Sequence, residues 1–514
     1  MTNSARVIQW GLVALLIWIA GASGAATSSA QTAPPYWPDG EWRTSTPEEQ
    51  GLDSMVLAGM LEGVRAANID SVLVIRHGYA VLDAYTHPFH ADALRSLHSA
   101  AKGFTAALVG IAIGQGHITS VDQPVLELFA RWTAANRDAR KEALTLEHLL
   151  TMTAGFDCIG GVHITQLPGD WVQGVLDRPM IAAPGQTFAY CDANAFLLAA
   201  AVQEASGTSA LEFARRYLFE PLGIDRFEWN TSREGRITGW GGLYLRPRDM
   251  AKLGYLYLHG GLWDGQQLIP ADYVAASTAW QVAREAGTGY GYQWNVSDQG
   301  YFWVDGHGGQ FIIIMPEHDL VAVFTSTQGA SDGPSPRRLF EQYVLPALRS
   351  GGPLPANPDG AAALRAQVAA LAHPQPAAVA PLPAIASAIS GQTYVIEDPG
   401  TLGSDSFTLS FADGADEARL AVETNGTLVD MPIGLDGVYR VVPSTEESIG
   451  ARGFWSGNRF ILQIHEVNTP WLMTMQCFFA GDRATVVWSE AVYSMRGRFT
   501  ATRAPAQSHG GQAR

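Results

Sequence analysis

The chain has 514 residues, and 33 lysines and arginines against 49 aspartates and glutamates leave a formal charge of −16. That balance argues against nucleic acid as a partner, because binding phosphate needs a basic surface. A composition of 47 % apolar and 16 % charged residues argues against an unfolded chain.

Residues 1–30 begin with a single arginine, continue as an apolar run over 7–20 and close in small residues, Ser28-Ser29-Ala30. This is the order of a secretory signal cleaved near Ala30. The alternative is an uncleaved anchor, since the run approaches the roughly 18–20 residues of a membrane helix. The expectation is a periplasmic or secreted protein with no membrane span once the signal is removed. Of Cys158, Cys191 and Cys477, one pair can bridge in an oxidising compartment and leave the third free; the sequence alone does not select the pair.

Past an entry arm, Asp53 caps a predicted helix reaching residue 66, with Met55, Leu57, Met60, Leu61 and Val64 on one face. Two β-rich runs, 71–75 and 79–85, flank Arg76-His77-Gly78 as a hairpin. A helix of small and apolar residues over 99–114 is followed by helical segments to about residue 222. Strands over 310–315 and 320–326 and a helix over 336–349 close the region. Strands at both ends with helices between predict an α+β domain over 31–350, an antiparallel sheet flanked by helices plus an all-helical subdomain. Residues 351–388 read as a Pro/Ala/Gly-rich linker, with a short helix possible over 362–371. Short alternating β runs over 389–505 predict a small antiparallel barrel or sandwich, followed by a disordered tail, 506–514.

The chemistry gathers on three segments. Ser99-Ala100-Ala101-Lys102 opens the helix over 99–114, and at this spacing both side chains share a helix face. Ser99 at the helix N-terminus lies near free backbone N–H groups. Apolar walls desolvate an amine, lower its pKa and let it act as a base. Lys102 is one of only three lysines, with Lys141 and Lys252. Tyr190 sits at a loop-to-helix junction, where a neighbouring ammonium would suit it to shuttle protons. Asp305-Gly306-His307-Gly308-Gly309-Gln310 opens a strand, and a backbone N–H after the glycines can complete an oxyanion hole. Trp240, among glycines, could line the pocket, and the Gly/Tyr-rich run 287–294 could form its rim. His98 receives no role, since adjacent residues at a helix start point apart. No metal-ligand pattern and no phosphate loop is present, so neither metal nor cofactor is implied.

Together and in this order, the motifs resemble the serine β-lactamase and penicillin-binding-protein superfamily. They are most similar to its class C β-lactamase-related branch, with family VIII carboxylesterases, 6-aminohexanoate-dimer hydrolases and D-alanyl-D-alanine carboxypeptidase-like proteins. Further segments carry the resemblance: STPEEQGLD at 45–53, LTLEHLLTMTAG at 144–155, GGLYLRPRDMAKLG at 241–254 and GHGGQFIIIMPEHDLVAVFTS at 306–326. It implies Ser99 as acylated nucleophile, Lys102 as its activator and Tyr190 as general base and then acid. It implies backbone N–H groups of Ser99 and Gln310 as the oxyanion hole, with His307-Gly308-Gly309 as the substrate-side element. It also implies a Cys158–Cys191 bridge bracing the Tyr190 loop.

Two departures matter. Asp192 stands where many members have Asn; an anion there either keeps Lys102 charged, shifting the base role to Tyr190, or faces the substrate. His307 stands where peptidases and β-lactamases keep Lys, and Gly308 removes a hydroxyl, which weakens recognition of a substrate carboxylate. The expectation is a hydrolase of small carboxylic esters or amides. Its rivals are a β-lactamase or D-alanyl-D-alanine carboxypeptidase acting on peptide-like substrates, and a non-catalytic binding protein on the same scaffold.

Overall fold

The computed structural model describes residues 36–38, 40–158, 163–398, 403–442 and 448–505. The expected signal, 1–30, and tail, 506–514, lie outside them. No helix among the described residues is long and apolar enough to cross a membrane.

Asp53 accepts hydrogen bonds from the amides of Met55 and Val56 and so starts α1 (Ser54–Val64). Leu57, Met60, Leu61 and Val64 are buried, whereas Met55 faces solvent. The chain then enters a nine-stranded sheet made of β1 (Arg43–Thr44), β2 (Ile69–Arg76), β3 (Tyr79–Tyr85), β4 (Val282–Glu285), β5 (Thr288–Tyr290), β6 (Asn295–Ser297), β7 (Phe302–Gly306), β8 (Gln310–Met315) and β9 (Leu320–Ser326). Their spatial order is β1-β3-β2-β9-β8-β7-β6-β5-β4. Distant segments therefore meet at its centre, where β2 pairs antiparallel with β9.

Alternation on the central strands divides the core in two. Leu73, Ile75, Ile312, Ile314, Val321 and Val323 point to the face covered by α2 (Ala101–Gly114) and α4 (Pro247–Leu258), and α3 (Asp192–Ser206) packs against α2. Val72, Val74, Ile313, Ala322 and Phe324 point to the other, under α1 and the helical turns over 336–347. β2 is covered on both faces and buried throughout: its run Val72–Ile75 is apolar, and its buried polar residues are paired, Asp70 with Arg95 and Thr327, Ser71 with Thr325 and Arg76 with the Gln50 carbonyl.

The stretch expected as a linker holds the helix that the sequence allowed over 362–371, in a longer form. It carries α5 (Pro358–Ala372), started by the Asn357 side chain accepting from the Gly360 amide, and Leu364 and Leu371 of this helix join the α1 core.

Downstream, nine strands close a barrel: β10 (Gln392–Ile396), β11 (Ser406–Ser410), β12 (Glu417–Thr424), β13 (Thr427–Gly434), β14 (Ile449–Ser456), β15 (Arg459–Glu466), β16 (Leu472–Ala480), β17 (Arg483–Glu490) and β18 (Arg496–Arg503). The ring runs β13-β12-β11-β10-β18-β17-β16-β15-β14, and β13 meets β14 to close it. An odd number of strands cannot alternate direction all the way round, so one joint must be parallel, and β13–β14 is that joint. Closure decides between the barrel and sandwich expected from the sequence.

One end of this barrel is fastened to the first domain. Buried Arg95 pairs with Asp70 and donates to the Val467 carbonyl; Ser96 donates its amide to Asn468 at 2.8 Å, and Asn468 returns a bond to the Leu94 carbonyl at 3.1 Å.

Candidate active site

Ser99 lies on a single 3-10 turn, His98–Ala100, that feeds α2. His98 has φ +45°, a left-handed conformation costing a non-glycine residue about 1–2 kcal/mol. It turns the chain sharply between the strand Arg95–Ser96 and the helix. Strand β7 passes so close that a Cβ on Gly306 would lie 2.1 Å from the Leu97 carbonyl oxygen, so only glycine fits there.

Lys102 is buried, and its Nζ is 2.9 Å from Ser99 Oγ, 3.2 Å from the Trp240 carbonyl oxygen and 2.8 Å from Asp192 Oδ1. The Tyr190 ring centre is 4.7 Å from the same nitrogen, and this tyrosine is 43 % exposed. Burial by itself pulls the Lys102 pKa down, but Tyr190 and Asp192 outweigh it and hold the pKa above the usual lysine value. This corrects the expectation that apolar walls would depress it. Of the two readings of Asp192, the geometry favours the first: Oδ1 meets Lys102 and Oδ2 lies 3.3 Å from His163 Nε2.

Cys158 and Cys191 are joined by a disulfide, and Cys191 is the residue that precedes α3, between Tyr190 and Asp192. Cys477 is free and buried within the barrel.

These groups face a cavity of about 240 Å³ whose other walls are Arg284, Tyr290, Gln293, Asn295, the end of β7 from Val304 to Gly306, and His307 just after it. Arg284 donates to Asn295 Oδ1; Asn295 and Trp303 donate to Asp305 Oδ1 at 2.8 and 3.0 Å. Burial raises the Asp305 pKa, and Arg284 counters it. The rim expected over 287–294 supplies Tyr290 and Gln293. Arg284 and His163 left no signal in the sequence, because isolated surface-type residues of this kind are usually solvated.

The barrel also reaches the site. His307 Nε2 is 3.2 Å from the Val492 carbonyl, its ring centre is 5.0 Å from that of Tyr493, and His98 Nε2 is 3.4 Å from the Tyr493 hydroxyl. Burial first, then His307, Arg95 and Lys102, push the His98 pKa down to about 4. Tyr493 could not have been found from spacing, since 395 residues separate it from His98.

Three expected substrate contacts are otherwise employed. The Trp240 ring packs on Trp171, Phe196 and His163, and it is the carbonyl of Trp240 that reaches Lys102. A Cβ on Gly308 would lie 2.8 Å from Pro470 of the barrel, and one on Gly309 would lie 2.0 Å from Ser326 Oγ. Both glycines, with φ +78° and +91°, are needed for packing. Gln310 begins β8 opposite Gly306, with its side chain donating to the Ser326 carbonyl at 2.6 Å.

The profile of the β-lactamase family matches residues 57–344. An uncharacterised protein of Alkalihalophilus pseudofirmus is 24 % identical over 270 residues, 46 % of this chain and 72 % of that protein. A 6-aminohexanoate-dimer hydrolase of Paenarthrobacter ureafaciens is 25 % identical over 238 residues, 43 % of this chain and 60 % of the relative, less than two thirds of its length. A solved structure of a candidate 6-aminohexanoate-dimer hydrolase from Bacillus anthracis superposes with a TM-score of 0.50 at 20 % identity, covering 61 % of this chain and 89 % of the other. Likeness at that identity speaks to the fold.

Proposed function

This chain belongs to the β-lactamase family, whose profile spans more than half of it, and on that premise we propose an exported serine hydrolase that acts on small carboxylic esters or amides through an acyl-enzyme on Ser99. The observation that carries the reading is Ser99 Oγ 2.9 Å from a buried ammonium held between Asp192 and Tyr190, at the wall of a cavity. Ser99 Oγ attacks the carbonyl carbon, and its proton passes to Tyr190. The bond from that carbon to the leaving oxygen or nitrogen then breaks, and Tyr190 returns the proton to the leaving group. Water attacks the resulting ester by the same route and releases the acid. Lys102, kept charged by Asp192, steadies negative charge on Tyr190 and orients Ser99 rather than serving as the base. The backbone N–H groups of Ser99 and Gln310 receive the oxyanion.

Amide hydrolysis is supported by the relative named for 6-aminohexanoate dimers, a linear amide. Export is supported by the order of residues 1–30 and by the Cys158–Cys191 bridge, a bond that persists in oxidising compartments. A second reading, β-lactamase or D-alanyl-D-alanine carboxypeptidase, draws on Arg284: its guanidinium lines the cavity and offers a carboxylate the cation that His307 replaces.

The test is turnover of a short p-nitrophenyl ester, a linear aminohexanoate amide and a chromogenic cephalosporin by the mature protein and by Ser99→Ala. Ester or amide turnover that vanishes in Ser99→Ala is the expected result. Cephalosporin turnover, or stable acylation by penicillin, moves the assignment to the second reading. Activity retained in Ser99→Ala refutes both.

A further inference from the structure

The barrel is not filled. It encloses a cavity of about 350 Å³, room for roughly a dozen methylene groups at about 30 Å³ each, the share of one liquid water. Protein interiors hold few voids larger than a water, so a space of this size inside a closed ring of strands is a feature of the fold.

Its placement is one-sided. At the end where β14 turns into β15, the rings of Phe411, Trp455 and Phe460 pack against one another at 5.1–5.3 Å and plug the barrel. The cavity extends instead toward the end where β10 finishes and β16 and β18 begin, between Ile396, Trp471, Phe499, Met431, Met473 and Met475. Ser404 and Cys477 are its polar lining, and among the described residues no charged side chain lines it. Val422 and Phe499 point inward by alternation with exposed Glu423 and Arg498, yet both are only half buried. The surface they leave uncovered therefore faces the cavity. Methionine is unbranched and polarisable, and three of them give the wall the adaptability that a flexible chain requires.

The same end carries the loops over 467–471 and 491–495 that rest on the candidate active site. Trp471 lines the cavity, and its neighbour Pro470 fills the space beside Gly308.

We propose that the barrel binds one linear aliphatic chain, of the kind found in a fatty alcohol, fatty acid or long-chain ester, inserted tail first with its polar head left at the end that faces Ser99. Recognition is of the tail, since among the described residues none of the cavity's lining is charged and able to read a head group.

The experiment titrates the full-length protein with the apolar fluorophore N-phenylnaphthylamine, then displaces it with dodecanol and, separately, with dodecanoate. Saturable binding of one fluorophore per chain, displaced by both compounds, is expected. Leu420→Trp and Val422→Trp, which fill the cavity, weaken binding by about tenfold or more and leave p-nitrophenyl acetate turnover little changed. Absence of saturable binding overturns the proposal, as does displacement by dodecanoate alone. Equal binding in both filling variants also overturns it, because the fluorophore then sits elsewhere. Should those variants fail to fold by circular dichroism, Cys477 reports from the wild-type chain, since it is buried on the cavity wall and outside the disulfide. Its alkylation by N-ethylmaleimide slows about fivefold or more with dodecanol bound, since the thiol is then covered; an unchanged rate refutes the proposal.

Discussion

Asp192→Asn separates the two roles open to Lys102. The carboxylate oxygen lies 2.8 Å from Nζ, on a side chain 28 % exposed, while Lys102 is 2 % exposed. At an effective dielectric of about 20 the pair is worth on the order of 6 kcal/mol, and water at the exposed edge of Asp192 brings this to about 3 kcal/mol. An amide of the same shape keeps the contact and removes the charge, so the ammonium loses that stabilisation, equivalent to roughly two pH units. If the charged form supports Tyr190, kcat/KM for a p-nitrophenyl ester does not rise near neutrality, where the ammonium persists, and its alkaline limb moves down by about that amount. If Lys102 instead worked as a neutral base, the variant would hold more free amine near neutrality and become faster. The assay is kcat/KM from pH 6 to about 10.5 for both proteins, with urea unfolding to verify the fold. A faster variant, or an alkaline limb that stays in place, refutes the assignment of Lys102 as a permanent cation.

Tyr190→Phe slows single-turnover acylation by about a hundredfold or more with unfolding unchanged, since proton transfer by a placed side chain contributes 10²–10⁴-fold; wild-type rates would remove it as the base. Because the His98 pKa falls from 6.5 to about 4 on folding, its contribution is complete above pH 6.5 and is lost as pH drops through 4. Urea midpoints at pH 7 and 4.5 therefore differ less in His98→Gln than in wild type, by about 2–3 kcal/mol. The disulfide spans 33 residues, for which loop-closure entropy gives about 4 kcal/mol; Cys158→Ser with Cys191→Ser lowers unfolding free energy by about 2–4 kcal/mol, and a loss below about 1 kcal/mol contradicts that account. Gly308→Thr, at φ +78° and 2.8 Å from Pro470, destabilises by at least about 2 kcal/mol in thermal unfolding rather than restoring a carboxylate site; a stable variant that gains cephalosporin turnover would show the position faces substrate.

Local pattern by itself determined a good deal of this protein. The three-residue interval from Ser99 to Lys102 places both on one helix face whatever surrounds them, because helical geometry repeats with the chain. Asp53 before an apolar stripe, a two-residue turn at His77-Gly78 and the short apolar runs of β8 and β9 are equally local, so helix, hairpin and strands could be read in order. Tertiary structure decided what depends on distant residues meeting. The Lys102 pKa went up because Tyr190 and Asp192, distant in the chain, together outweighed the burial that the neighbouring apolar sequence suggested. Gly308 was set by Pro470, and Tyr493 came to His98 across 395 residues. Within the linker composition of 351–388 the sequence allowed a short helix over 362–371; apolar contacts with α1 fix that helix and extend it to α5, Pro358–Ala372. Closure into a barrel rather than a sandwich rested on the single parallel joint between β13 and β14. Alternating residues record that a strand has two faces, but not which edge will find a partner.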